Sequence, residues 1–132
     1  MRILVAQMTR MGDMLQNSPL TRALRLRYPN AHITAMVRPM ARGIAERNPD
    51  IDEIIVYEED AMFLDLRSRD SERLLRAYRT AEALVNDLNA RKFDVIYNCT
   101  HSIASAMLMK MVKAHEIVGA HLSDDWQFLL RG

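Results

Sequence analysis

The stretch RILVAQMTRMGDML, residues 2–15, holds the strand and the turn around which the remaining pattern falls into place. Residues 2–6 form the short apolar run expected of a strand covered on both faces. Thr9, Arg10, Gly12 and Asp13 then break it, and Gly12 is the only glycine in the first 40 residues. A buried strand that gives way at once to a charged turn sets an acid at the carboxyl end of that strand. Open α/β sheets keep their ligands at that edge.

Downstream, strand and helix patterns alternate. Residues 18–28 read as a helix with Ser18 as cap, Pro19 in its first turn and an inner stripe of Leu20, Ala23, Leu24 and Tyr28. Residues 32–37 are a second strand, 38–49 a short helix bounded by prolines, and 52–57 a third strand. Residues 58–70 lack a clear period and read as an irregular or partly helical insertion. A long amphipathic helix follows over 71–91, with Leu74, Tyr78, Ala81, Val85 and Leu88 inward. Residues 93–99 are a central strand, 102–114 an apolar helix and 115–120 a fifth strand. This order predicts a doubly wound, Rossmann-like α/β fold with a parallel sheet, in a single domain over residues 1–132. If the first and fourth strands are neighbours, the loops 7–13 and 99–102 border one crevice.

Composition narrows the function classes. Hydrophobic residues make up 49% and charged residues 27% of the 132, the balance of a globular chain. Eighteen basic against seventeen acidic residues give a net charge of +1, so no general attraction to nucleic acid is expected. Cys99 is the one cysteine, which removes disulfides and cysteine-based zinc sites and makes a buried thiol the default. Four apolar residues between Arg2 and Gln7 are too few for a signal peptide, so the expected location is cytoplasmic, with proximity to the inner face of the membrane left open. His32, His115 and His121 have no ligand-like spacing, and no metal site is expected.

The first loop lacks the G-x-G-x-x-G of dinucleotide sites and the Gly-Lys-Ser/Thr of a P-loop, which argues against nucleotide binding there. Two readings of it remain: Gly12 supplies a turn conformation and Asp13 caps a helical turn, or Asp13 projects into the crevice as a base. The two are compatible in part, although a carboxylate fully engaged in capping is a weaker base.

Three segments together carry a family resemblance: MRILVAQMTRMGDMLQNSPLTRALRLRYPNAHITAMVRP, residues 1–39; NPDIDEII, 48–55; and KFDVIYNCTHSIASAMLMKMVKAHEIVGA, 92–120. The chain resembles the N-terminal domain of the ADP-heptose:lipopolysaccharide heptosyltransferases, glycosyltransferase family nine. The most specific part is a strand, then Met-Gly-Asp, then Pro19 six residues after Asp13. The resemblance implies the N-terminal half of a GT-B glycosyltransferase and an inverting transfer of heptose from a nucleotide sugar to a lipopolysaccharide core. It assigns the general base to Asp13, a glycan or glycolipid acceptor to this domain, and an ADP-heptose-like donor to a C-terminal domain outside this sequence. No cofactor is expected in the chain itself, which by this reading is a fragment without activity of its own.

Further acceptor contacts are expected from Thr9, Arg10, Met11 and Gly12 on the first loop, Arg38 after the second strand, and Thr100, His101 and Ser102 after the fourth. Thr100 and Ser102 have capping of the next helix as the alternative role. Arg67, Arg69, Arg73 and Arg76 lie where the resembling family meets acceptor phosphates, but Asp65, Asp70 and Glu72 among them suit surface ion pairing. Trp126, Phe128, Leu129 and Leu130 call for burial, and left exposed they favour a homo-oligomer. A non-enzymatic ligand- or protein-binding module is the competing class. A receiver-type regulator fits less well, because Gln7, Met8 and Tyr57 stand where it needs acids.

Overall fold

In the computed structural model, which describes residues 1–132, the chain runs β1 (Arg2–Gln7), α1 (Met11–Gln16), α2 (Ser18–Arg27), β2 (His32–Val37), a 3₁₀ turn (Pro39–Ala41), α3 (Arg42–Glu46) and β3 (Glu53–Val56). It continues α4 (Glu59–Leu66), α5 (Ser71–Ala90), β4 (Val95–Asn98), α6 (Ile103–Met111), β5 (Glu116–Leu122) and β6 (Phe128–Arg131). All six strands share one sheet, in the order β3-β2-β1-β4-β5-β6. β1 to β5 pair in parallel, and β6 returns antiparallel along β5. The arrangement is doubly wound and Rossmann-like, as the alternating pattern implied, with an antiparallel edge that the pattern did not show.

The period of two along β1 sorts its side chains into layers. Leu4 and Ala6 join Met36, Ile96, Leu88 and Met109 under α5 and α6. Ile3 and Val5 turn to the other face with Leu24 and Ile33 under α2, and Ala35 and Val37 meet Met14, Ala41 and Ala45 beneath α1 and α3. Each fully buried aliphatic side chain of this kind contributes roughly 1.5–3 kcal/mol. β1 therefore sits at the centre of the molecule, and its carboxyl end is firmly placed.

Several local expectations change. Residues 11–16 are a helix, too short for a period to be visible. Gly12 lies inside it rather than in a left-handed turn; the one positive-φ glycine is Gly119, at φ +92. Asn17 takes the N-cap position of α2 in place of Ser18, without a side-chain capping bond, and Ala23 is exposed where Thr21 is buried. Residues 59–66 are a helix, α4, that packs on α5. The buried residues of α5 are Ala77 and, in the core against the sheet, Leu88, whereas Leu74 and Tyr78 are exposed. Trp126, Phe128, Leu129 and Leu130 are exposed as well. No helix is long and apolar enough to cross a membrane.

Candidate functional site

β1 and β4 are neighbours whose chains leave in opposite directions across the sheet, so a crevice opens between their carboxyl ends. The α1–α3 layer covers β1 and β2 on one face, whereas β4 and β5 are packed against α6 on the other. The result is a cleft of about 660 Å³. Gln7, Thr9 and Asp13 line it from the end of β1 and α1, and Tyr97, Cys99 and His101 from the end of β4 beside them. Val118 and Gly119 complete it from β5. A Cβ on Gly119 would run into the Asn98 carbonyl, so only glycine lets β5 lie this close at that point.

Asp13 occupies the third position of α1 and is half-buried. Its Oδ2 accepts a hydrogen bond from Thr9 Oγ1 at 2.7 Å and one from the Arg10 backbone N–H at 3.3 Å. Oδ1 makes no hydrogen bond within the chain. The Thr9 hydroxyl above all, then the Arg10 N–H, hold this carboxyl below its usual range, with burial opposing them and the Arg10 charge adding a smaller pull in the same direction. Asp13 is therefore ionised at neutral pH, with one oxygen tied to the helix start and the other without a partner in the chain.

The other expected contacts separate into groups. Thr9 and His101 line the cleft with Asp13. Arg10 holds the N-cap position of α1 without a side-chain capping bond and is exposed, as are Met11 and Gly12 in the first turn; none of the three lines the cleft. Thr100 is buried, accepting from the Met8 N–H at 2.8 Å, which ties the end of β1 to the loop after β4. Ser102 caps α6 through the Ser105 N–H at 3.1 Å. Arg38 pairs with Glu59 and Asp60 at the start of α4, and Arg67 and Arg69 are exposed at the turn between α4 and α5; none of the three borders the cleft. Arg73 and Arg76 both grip Asp65.

Sequence reasoning did not single out Gln7, Asn17, Asn98 or Cys99 as parts of this site. Polar residues ending otherwise apolar strands were the available signal, carried by Gln7 and Asn98. Asn98 is fully used, donating to Ser105 Oγ and the Ala120 carbonyl and accepting from the Thr100 N–H. Cys99 is half-buried on the wall, where burial pushes its thiol up and Asn17 draws it partly back. No three His, Cys, Asp or Glu side chains come together closely enough to hold a metal ion.

No protein-family model matches the chain. Lipopolysaccharide heptosyltransferase 3 of Escherichia coli is 26% identical over 103 residues, covering 78% of this chain and 27% of that protein. The chain is similar to the heptosyltransferases. Two solved E. coli structures agree with that likeness. ADP-heptose lps heptosyltransferase II superposes with a TM-score of 0.68 at 25% identity, over 90% of this chain and 30% of its own. Heptosyltransferase WaaC with ADP-2-deoxy-2-fluoro heptose gives 0.75 at 16% identity over 90% and 36%, which speaks for the fold alone. The heptosyltransferase-like chain thus spans about a third of the length of these proteins, and its Rossmann-like sheet is that of the N-terminal half of a GT-B transferase.

Proposed function

We propose that this chain is the acceptor-side domain of an inverting glycosyltransferase that moves heptose, or a related sugar, from an ADP-heptose-like donor to a lipopolysaccharide core or similar glycan. The observation that carries this reading is an ionised Asp13, its Oδ1 without a partner in the chain, lining the cleft at the sheet's topological switch point. Inversion requires the acceptor hydroxyl to attack opposite the departing diphosphate, and a group on the acceptor side must take its proton. Asp13 is the carboxylate that lines the cleft.

The same geometry argues against a donor diphosphate here. The Arg10 N–H at the start of α1, which would serve an anion, is already bound by Asp13, and a carboxylate in the first turn repels a second negative charge. The donor is thus assigned to a further domain, and the chain alone is inert. Work at the cytoplasmic face of the inner membrane, where a lipid-linked acceptor is accessible, follows from the same reading. Replacing Asp13 with Asn in the intact transferase should lower kcat by ~10²–10⁴-fold with little change in acceptor KM. Near-normal turnover would reject the role.

A further inference from the structure

The Thr9 hydroxyl lies between two oxygens, 2.6 Å from Gln7 Oε1 and 2.7 Å from Asp13 Oδ2. The orientation of the Gln7 amide is set from its other end, where Nε2 donates to the Cys99 carbonyl at 3.3 Å. A carbonyl can only accept, so Oε1 faces Thr9 and is itself an acceptor. The hydroxyl has one proton and two acceptors for it. Gln7 is 5% exposed at the end of the central strand, so its oxygen has little recourse to water.

We propose that Thr9 and Gln7 are the positioning pair of Asp13, with Thr9 holding Oδ2 so that Oδ1 meets the acceptor, and Gln7 competing for the Thr9 proton. This rests on the reading of Asp13 as the base. While Asp13 is ionised, the charge-assisted bond wins and the Thr9 proton lies on Oδ2. When Oδ1 takes the acceptor's proton, Oδ2 becomes a neutral carbonyl oxygen and the Thr9 hydroxyl turns to Gln7 Oε1. No proton is lost or gained beyond the one transferred. Thr9 thus favours the ionised carboxylate and Gln7 favours the protonated one, and the base is stronger than Thr9 alone would leave it. The other titratable groups facing this point are Arg10 on its own loop and Tyr97, Cys99 and His101 across the cleft.

The test is a carboxyl-carbon NMR titration of Asp13 in the 132-residue chain, over the pH range in which its amide spectrum remains native. Thr9→Val should raise proton affinity by roughly threefold to tenfold, tenfold being one pKa unit, and Thr9→Ser should restore it. Gln7→Leu should shift it the opposite way, with Gln7→Met as the alternative if the leucine variant does not fold. General loosening of the loop would move Asp13 in the same direction in every variant, so same-sign shifts, or equal shifts for Thr9→Val and Thr9→Ser, overturn the pair. Opposite shifts together with an Asp13→Asn transferase that still turns over would leave the pair standing and remove the function. Loss of transfer in Asp13→Asn without these shifts would do the reverse.

Discussion

On the proposed reading, Asp13 meets two demands that the sequence alone sets against each other, closing a helix start through Oδ2 and serving as a base through Oδ1. The type of residue was legible, but the division of labour was not, because it depends on α1 existing. Gly12 beside it has no atom within 4 Å of where a Cβ would sit and no positive φ, so nothing in the chain demands glycine there. Gly12→Ala should stabilise the chain by about 0.5–1 kcal/mol in urea unfolding, since alanine loses less backbone freedom on entering a helix. If transfer by the intact enzyme nonetheless falls, the glycine answers to the acceptor, which needs the bare backbone of that first turn. If both stability and transfer hold, Gly12 has no part in the site.

At the scale of elements, β1, β2 and β4 could be read directly from their apolar runs, because a strand buried on both faces leaves no ambiguity about what covers it. α4 and the first half of α5 could not. Their stripe is set by mutual packing, and the small side chain of Ala77 is buried where Leu74 and Tyr78 were expected. β6 was missed because its Phe128, Leu129 and Leu130 remain exposed and carry no alternation. The α4–α5 pair is clamped by Asp65, whose side chain is 10% exposed and faces both Arg73 and Arg76. Arg76 first, and Arg73 after it, hold the Asp65 carboxyl down at about 2 against the upward push of burial. The folded state therefore binds this proton more weakly than the unfolded chain, so the clamp is at full strength above about pH 4 and is lost as pH falls through about 2. Amide signals of residues 59–78 should shift over that window before those of β1 do. An Asp65→Asn variant should already show faster amide exchange in α4 at neutral pH, and equal exchange in both proteins would exclude the clamp.

Over the whole molecule, charge is arranged to cancel locally. Arg22 pairs with Asp50, Arg25 with Asp52, Arg38 with Asp60 and Arg91 with Asp87, whereas Arg2, Arg10, Arg27, Arg47, Arg67, Arg69 and Arg79 enter no ion pair. With a net charge of +1 there is no broad field to gather an anionic molecule, so the acceptor proposed here would have to be held by local contacts. Arg10 stands next in the chain to Thr9, which lines the cleft with Asp13, and has no acid paired to its side chain, whereas Arg38 is occupied by acids at the start of α4. A soluble inner-core fragment added to the chain should therefore perturb the amides of residues 7–17 and 97–101. Arg10→Ala should weaken that binding by up to about fivefold, in keeping with the ~0.2–1 kcal/mol of an exposed ion pair, and Arg38→Ala should leave it nearly unchanged. Adding an ADP-heptose donor should produce no transfer, because the start of α1 already holds a carboxylate and the chain spans about a third of the enzymes it resembles. Turnover by the chain alone would mean that this cleft accommodates donor and acceptor together, and the division into acceptor side and donor side would have to be abandoned.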